Sequence, residues 1–181
     1  FIDTQDGAKK QTKFYVNPFV QIDFLKHFNF TYNFYYDNFR DEQTYYNSDY
    51  KPRMNFLTGT VTNHPATSAE LAEAKVYDWR NYEQSWKSNA VLNYSQKFGG
   101  KHDVSAMGGY EEYRWWQRVI DVCKKGMVNP TLIDFNAMTT PSYLSGYTRE
   151  LATRSWFGRV NYAYDSRYLF EANIRYDGSS R

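Results

Sequence analysis

The 181-residue sequence has no run of 18 apolar residues, which excludes a transmembrane helix. It also shows no cleavable leader pattern. A single cysteine, Cys123, excludes an internal disulfide and a cysteine metal cluster, leaving an unpaired thiol in a loop or small core as the ordinary expectation. Charge of one sign is missing too. The 22 basic and 20 acidic residues leave a net charge of +2, and the basic residues are dispersed without forming a stripe, so no nucleic-acid partner is expected. Leu, Ile and Val are scarce beside 18 Tyr, 13 Phe and 5 Trp, and aromatics make up 20% of the chain. Such an excess of Tyr and Trp suits places where one end of a side chain is dry and the other wet.

What is present is alternation. Near the C-terminus, Tyr168, Phe170, Ala172, Ile174 and Tyr176 interleave with Leu169, Glu171, Asn173, Arg175 and Asp177. Period two means a strand with one apolar and one polar face. The pattern recurs six times, over about 13–25, 28–46, 78–96, 102–114 and 153–164 as well as in this last strand. Phe28, Phe30, Tyr32, Phe34 and Tyr36 alternate with Asn29, Thr31, Asn33, Tyr35 and Asp37; Trp156, Gly158, Val160, Tyr162 and Tyr164 alternate with Ser155, Phe157, Arg159, Asn161 and Ala163.

The connections are short at 26–27, 97–101 and 165–166 and long at about 47–77 and 115–152. Gly99-Gly100 supplies the positive φ a hairpin turn needs. Alternating short and long connections between long strands predict an all-β fold: an antiparallel up-and-down transmembrane β-barrel segment of about six strands in three hairpins, with long extracellular loops. A mean hydropathy of −0.79 does not argue against this, since only alternate residues of a spanning strand must be apolar. Apolar faces would meet lipid, with Trp86 and Trp156 in the aromatic girdles. Arg159, Asn161, Glu171, Asn173, Arg175 and Asp177 would face a wet lumen. Every backbone group must be paired in a bilayer, and about 8 strands is the practical minimum for closure, so the six strands are expected to be part of a larger barrel.

The long loops carry local patterns. Thr67-Ser68-Ala69-Glu70 fits a capping box and predicts a short helix through Lys75, with His64-Pro65 as a turn before it. Trp116, Val119, Ile120 and Cys123 fall at helical spacing, with Gly126 as a possible cap.

No catalytic arrangement stands out, and the chain is not expected to be an enzyme. Glu111 and Glu112 are neighbours at a strand end and would point to opposite faces, unlike a glycosidase pair. His27, His64 and His102 lie apart in turns or loops without a second ligand at metal spacing. Asp177-Gly178-Ser179-Ser180 lacks the alternating oxygens of a calcium loop and reads as a turn. Gly99-Gly100 and Gly108-Gly109 do not open a phosphate-binding helix. No cofactor or metal is expected. Trp115, Trp116, Tyr143 and Tyr147 fall in the second long loop, where exposed aromatics could stack on a ligand or pack on a lid protein; an outer girdle or a small loop core would use them as well.

The run from Ala152 to Arg181 resembles the SusC/RagA family of TonB-dependent outer-membrane transporters. The family hairpin carries R-x-N-Y, a D-x-R-Y-L turn and a strand closing on R-x-D-G-S-S-R, matched here by Arg159, Asn161, Tyr162, Asp165, Arg167, Tyr168, Leu169, Arg175, Asp177, Gly178, Ser179, Ser180 and Arg181. Lys101 to Glu111 resembles its preceding strand. The match is specific over about 101–181 and generic over 1–100. The resemblance implies one barrel domain, of which residues 1–181 form a middle part without plug, TonB box or final strands. It implies import of oligosaccharide or peptide in the outer membrane of a Gram-negative bacterium, with a SusD-like surface lipoprotein, the TonB complex and outer-membrane lipid as partners. A soluble all-β carbohydrate-binding module, a siderophore receptor and a porin are the competing readings.

Overall fold

The computed structural model describes residues 6–47, 53–55, 58, 60–62, 67–128 and 134–181. They form an antiparallel meander whose strands are β1 (Asp6–Val16), β2 (Phe19–Phe24), β3 (Phe28–Asn47), β6 (Lys75–Phe98), β7 (His102–Met127), β8 (Met138–Tyr164) and β9 (Tyr168–Ser179). The order across this sheet is β1-β3-β6-β7-β8-β9, with β2 also paired to β3. A separate two-stranded ribbon joins β4 (Arg53–Asn55) to β5 (Thr60–Thr62). The antiparallel up-and-down segment expected from the sequence is therefore present, with seven strands in place of about six.

Its strands are long: 24 residues in β6, 26 in β7 and 27 in β8. Soluble strands cluster near ~5–6 residues, and a bilayer crossing needs only ~9–11. The hairpin turns are as short as expected. Asp165 and Ser166 take φ of 50° and 57°, and Gly99 and Gly100 take 52° and 74°. Both central residues at positive φ match the right-handed twist of the flanking strands. The first turn does the same with Leu25 and Lys26, at φ 53° and 60°, residue types that seldom visit this region.

Several boundaries differ from expectation. The first strand is not continuous over 13–25. It splits into β1 and β2 around Asn17-Pro18, because Pro has no N–H for the ladder and sits where pairing pauses. The second long connection shrinks to 128–137. Residues 116–123 form strand rather than helix, so Trp116, Val119, Ile120 and Cys123 continue β7. Here, sheet pairing overrides the helical spacing. Glu111 and Glu112 are half-buried within β7 rather than at a strand end, and Asp177, Gly178 and Ser179 remain in β9 rather than turning. Helix α1 (Ser68–Glu73) forms with the Thr67 capping box complete but stops short of Lys75, which opens β6, while His64-Pro65 lies outside the described residues.

The chain divides into two compact units. The first comprises Phe1–Thr12, Phe39–Tyr82 and Arg118–Thr148. Its core is small: Ala74, Val76, Met127 and Met138 are buried, with Tyr46, Leu71 and Phe135 packed around them. Cys123 is buried in the same unit. The second comprises Lys13–Asn38, Glu83–Gln117 and Arg149–Arg181. Its stability rests on the sheet ladder and cross-strand pairs rather than an enclosed core. The β8–β9 register is continuous from Thr153↔Ser179 to Tyr164↔Tyr168.

Candidate functional site

In the second unit the two faces of the sheet differ sharply. On one, apolar side chains stand open: Trp156 is 62% exposed, Phe170 62%, Ile174 75% and Tyr176 72%. Rings pair across the strands here, Tyr110 with Trp156 at 4.6 Å, Phe34 with Trp86 at 6.3 Å and Phe28 with Tyr94 at 4.9 Å between centroids. Hydroxyl contacts follow the same side, with Ser88 donating to Tyr32 and Gln84 to Tyr36.

The opposite face is a hydrogen-bonded ladder. The register sets Ser155, Phe157, Arg159 and Asn161 across from Asp177, Arg175, Asn173 and Glu171. Arg159 Nε donates to Asn173 Oδ1 at 2.8 Å, and Asn173 Nδ2 donates to Glu171 Oε1 at 2.7 Å. Arg175 Nε bonds Asp177 Oδ1 at 2.9 Å, and its Nη2 donates to buried Ser155 Oγ at 3.1 Å. The ladder continues onto β7 and β6. Asn161 Nδ2 reaches Ser105 Oγ at 3.4 Å, Arg175 lies 3.9 Å from Glu111, and Lys87 Nζ pairs with Glu111 Oε2 at 2.7 Å. Arg175 also lies over the Phe157 ring at 5.7 Å. Phe157 in turn covers Gly109, where any Cβ would have to displace the ring.

All six polar residues expected on one face, Arg159, Asn161, Glu171, Asn173, Arg175 and Asp177, share this ladder. Glu111 belongs to it, whereas Glu112 points to the other face, where Arg154 Nε donates to it at 3.2 Å. Alternation in the fourth strand already set Ser105 and Glu111 opposite its apolar row; the sequence reading missed Lys87 and Asn89, whose Nδ2 donates to Glu111 Oε2 at 3.4 Å. Carrying the parity of β8 and β9 onto β6 and β7 would have found them.

The four aromatic candidates lie on strands rather than in a loop. Trp115 follows the polar face, with Nε1 donating to Glu83 Oε2 at 3.4 Å. Trp116, as the next strand residue, takes the apolar face, so the two indoles do not form one surface. In the first unit, Tyr143 Oη donates to Asp121 Oδ1 at 3.0 Å, and its ring lies 6.3 Å from Tyr77, which lies 4.6 Å from Tyr45. Partial loss of water contact and the Asp121 carboxylate push the Tyr143 phenol up from its ordinary range. Tyr147 is 42% exposed on the same strand.

Among the described residues no helix is long and apolar enough to cross a membrane, a statement that does not bear on strands. No protein-family model matches the chain. Curated proteins do. The chain is 36% identical over 109 residues to TonB-dependent receptor P39 of Formosa agariphila, across 58% of this chain and 10% of that protein. It is 26% identical over 161 residues to TonB-dependent receptor P26 of the same organism, across 84% of this chain and 16% of that protein. The chain is a relative of TonB-dependent receptors. It spans only about a tenth to a sixth of their length. Among solved structures, the RagAB peptide transporter superposes with a TM-score of 0.81 at 22% identity, covering 98% of this chain and 18% of that one. The RagAB peptide importer in its open-open state gives 0.80 at 20%. These superpositions show that the sheet has the fold of a section of those chains. The relatives named here are receptors and transporters.

Proposed function

We propose that this chain is a section of the wall of an outer-membrane, TonB-dependent nutrient importer. The observation that carries the reading is the division of one sheet into an open apolar face and a hydrogen-bonded polar face. Tyr168 to Tyr176 on β9 is a two-faced stretch of the roughly 9–11 residues that a tilted spanning strand needs. The aromatic pairs Tyr110–Trp156 and Phe34–Trp86 fit one girdle of that band. The Lys87–Glu111–Arg175–Asp177 ladder, with Arg159, Asn161, Glu171 and Asn173, then lines a water-filled interior. All of residues 1–181 form part of this one domain.

The imported material is oligosaccharide or peptide, taken up with a SusD-like surface lipoprotein and with energy from the TonB complex. The resemblance of 101–181 to the SusC/RagA family and similarity to a peptide transporter support this. Trp115, Tyr143 and Tyr147 are the side chains proposed to meet cargo or lid protein; Trp116, on the apolar face, serves the girdle instead.

Cell fractionation and uptake assays test the reading together. The full-length protein is expected in the outer-membrane fraction, resistant to extraction by urea, and its deletion should abolish TonB-dependent uptake of an oligosaccharide or peptide nutrient. Recovery in the soluble fraction would favour the carbohydrate-binding module, and uptake independent of TonB would favour a porin.

A further inference from the structure

A groove of about 540 Å³ opens in the second unit, lined by Gln84, Trp86, Arg114, Trp116, Glu150 and Ala152, with Ser180 at its edge. Gln84, Trp86, Arg114, Trp116 and Glu150 take the apolar face, while Trp115 and Leu151, which also border the groove, alternate to the other. Arg154, two residues beyond Trp156 on β8, already meets the carboxylate of Glu112, so charge begins where the open apolar band ends. Arg114 is one position further along that face of β7. It is exposed, and its charge acts on the Glu112 carboxylate, which Arg154 already bonds directly.

We propose that this groove holds the headgroup of a phosphorylated glycolipid in the surrounding leaflet. The inference rests on the barrel-wall reading, which puts the groove at headgroup level. Arg114 offers a planar fork suited to a phosphate. Trp86, braced by Phe34, and Trp116 offer flat indole surfaces to a sugar ring. Glu150 accepts from sugar hydroxyls. Small side chains at Ala152 and Ser180 leave the floor open, and Ser180 is fixed by two bonds to Ala152, N to O at 2.9 Å and Oγ from N at 3.0 Å. The volume lies within the ~300–1,000 Å³ of ordinary ligand sites.

The test uses full-length protein purified from outer membranes in detergent and titrated with monophosphoryl lipid A under native mass spectrometry. Wild type should bind one copy. Arg114→Ala should weaken binding by ~10–100-fold, the loss expected for a charged hydrogen bond. Arg114→Lys should fall between the two, and Ala152→Phe should block binding with every charge in place. If Arg114→Ala does not assemble, the latter two variants decide. Equal binding by all four proteins overturns the proposal, as does equal competition by phosphatidylethanolamine. Recovery of the protein in the soluble fraction would instead overturn the barrel-wall reading. An outer-membrane protein that binds lipid A independently of Arg114 and Ala152 overturns only the headgroup site.

Discussion

Ile174 and Arg175 are neighbours on β9, both largely solvent-accessible, yet they meet different chemistry. Ile174 stands 75% exposed beside Phe170 and Tyr176 on a face without compensating polar partners of its own. Arg175 ties together Asp177, Ser155 and Glu111 across three strands. In a soluble sandwich the aliphatic row would be the buried one. Here both rows are open, but only the polar row is cross-linked by its own partners, and in the proposed barrel wall lipid covers the apolar one. The polar row organises itself, since buried or half-buried polar groups cost free energy unless paired.

The largest effect should come from placing a charge on the open apolar face. Ile174→Arg is expected to cost about 2–4 kcal/mol of stability in lipid, read from urea unfolding of the full-length protein in vesicles, whereas Asn173→Arg one residue away should change it by less than ~1 kcal/mol. Equal costs would erase the distinction between the faces.

Next comes the close packing on the polar face. Gly109→Val forces the Phe157 ring aside and should cost about 1–3 kcal/mol. Gly109→Val combined with Phe157→Ala should cost less than the sum of the two single changes, as a double-mutant cycle would show. Strict additivity would mean that the two side chains do not meet.

Smaller again is the exposed ladder. Arg159→Ala removes one bond to Asn173 from a solvent-facing site and is expected to change stability by no more than ~1 kcal/mol. A larger loss would show that the ladder carries folding energy rather than setting the chemistry of its face.

Much of this was legible in the sequence because a strand's period is two. Alternation in 168–177 alone separated the two faces, and the register from Thr153↔Ser179 to Tyr164↔Tyr168 kept every assignment there. The Thr67 capping box was equally readable, since a cap is made by residues three apart. The extent of β7 and β8 was not. Trp116, Val119, Ile120 and Cys123 fit a helical stripe as well as a strand, and only pairing with neighbours distant in sequence decides between them. The same limit hid Lys87 and Asn89, whose partner Glu111 lies on another strand. The break at Pro18 was visible as a residue, but its consequence depended on which neighbour needed an N–H. The Phe157–Gly109 contact was beyond reach for the same reason, as the two residues come together only through the β7–β8 pairing.

The most direct measurement is paired cysteine labelling in the full-length protein with Cys123 replaced by serine. Asn173→Cys and Ile174→Cys are treated, in intact outer membranes, with a charged, water-soluble thiol reagent. The thiolate is the reactive form and is disfavoured in apolar surroundings. The two-faced wall predicts rapid modification at 173 and protection at 174 until detergent replaces the lipid. Equal, rapid modification at both positions in intact membranes would contradict it.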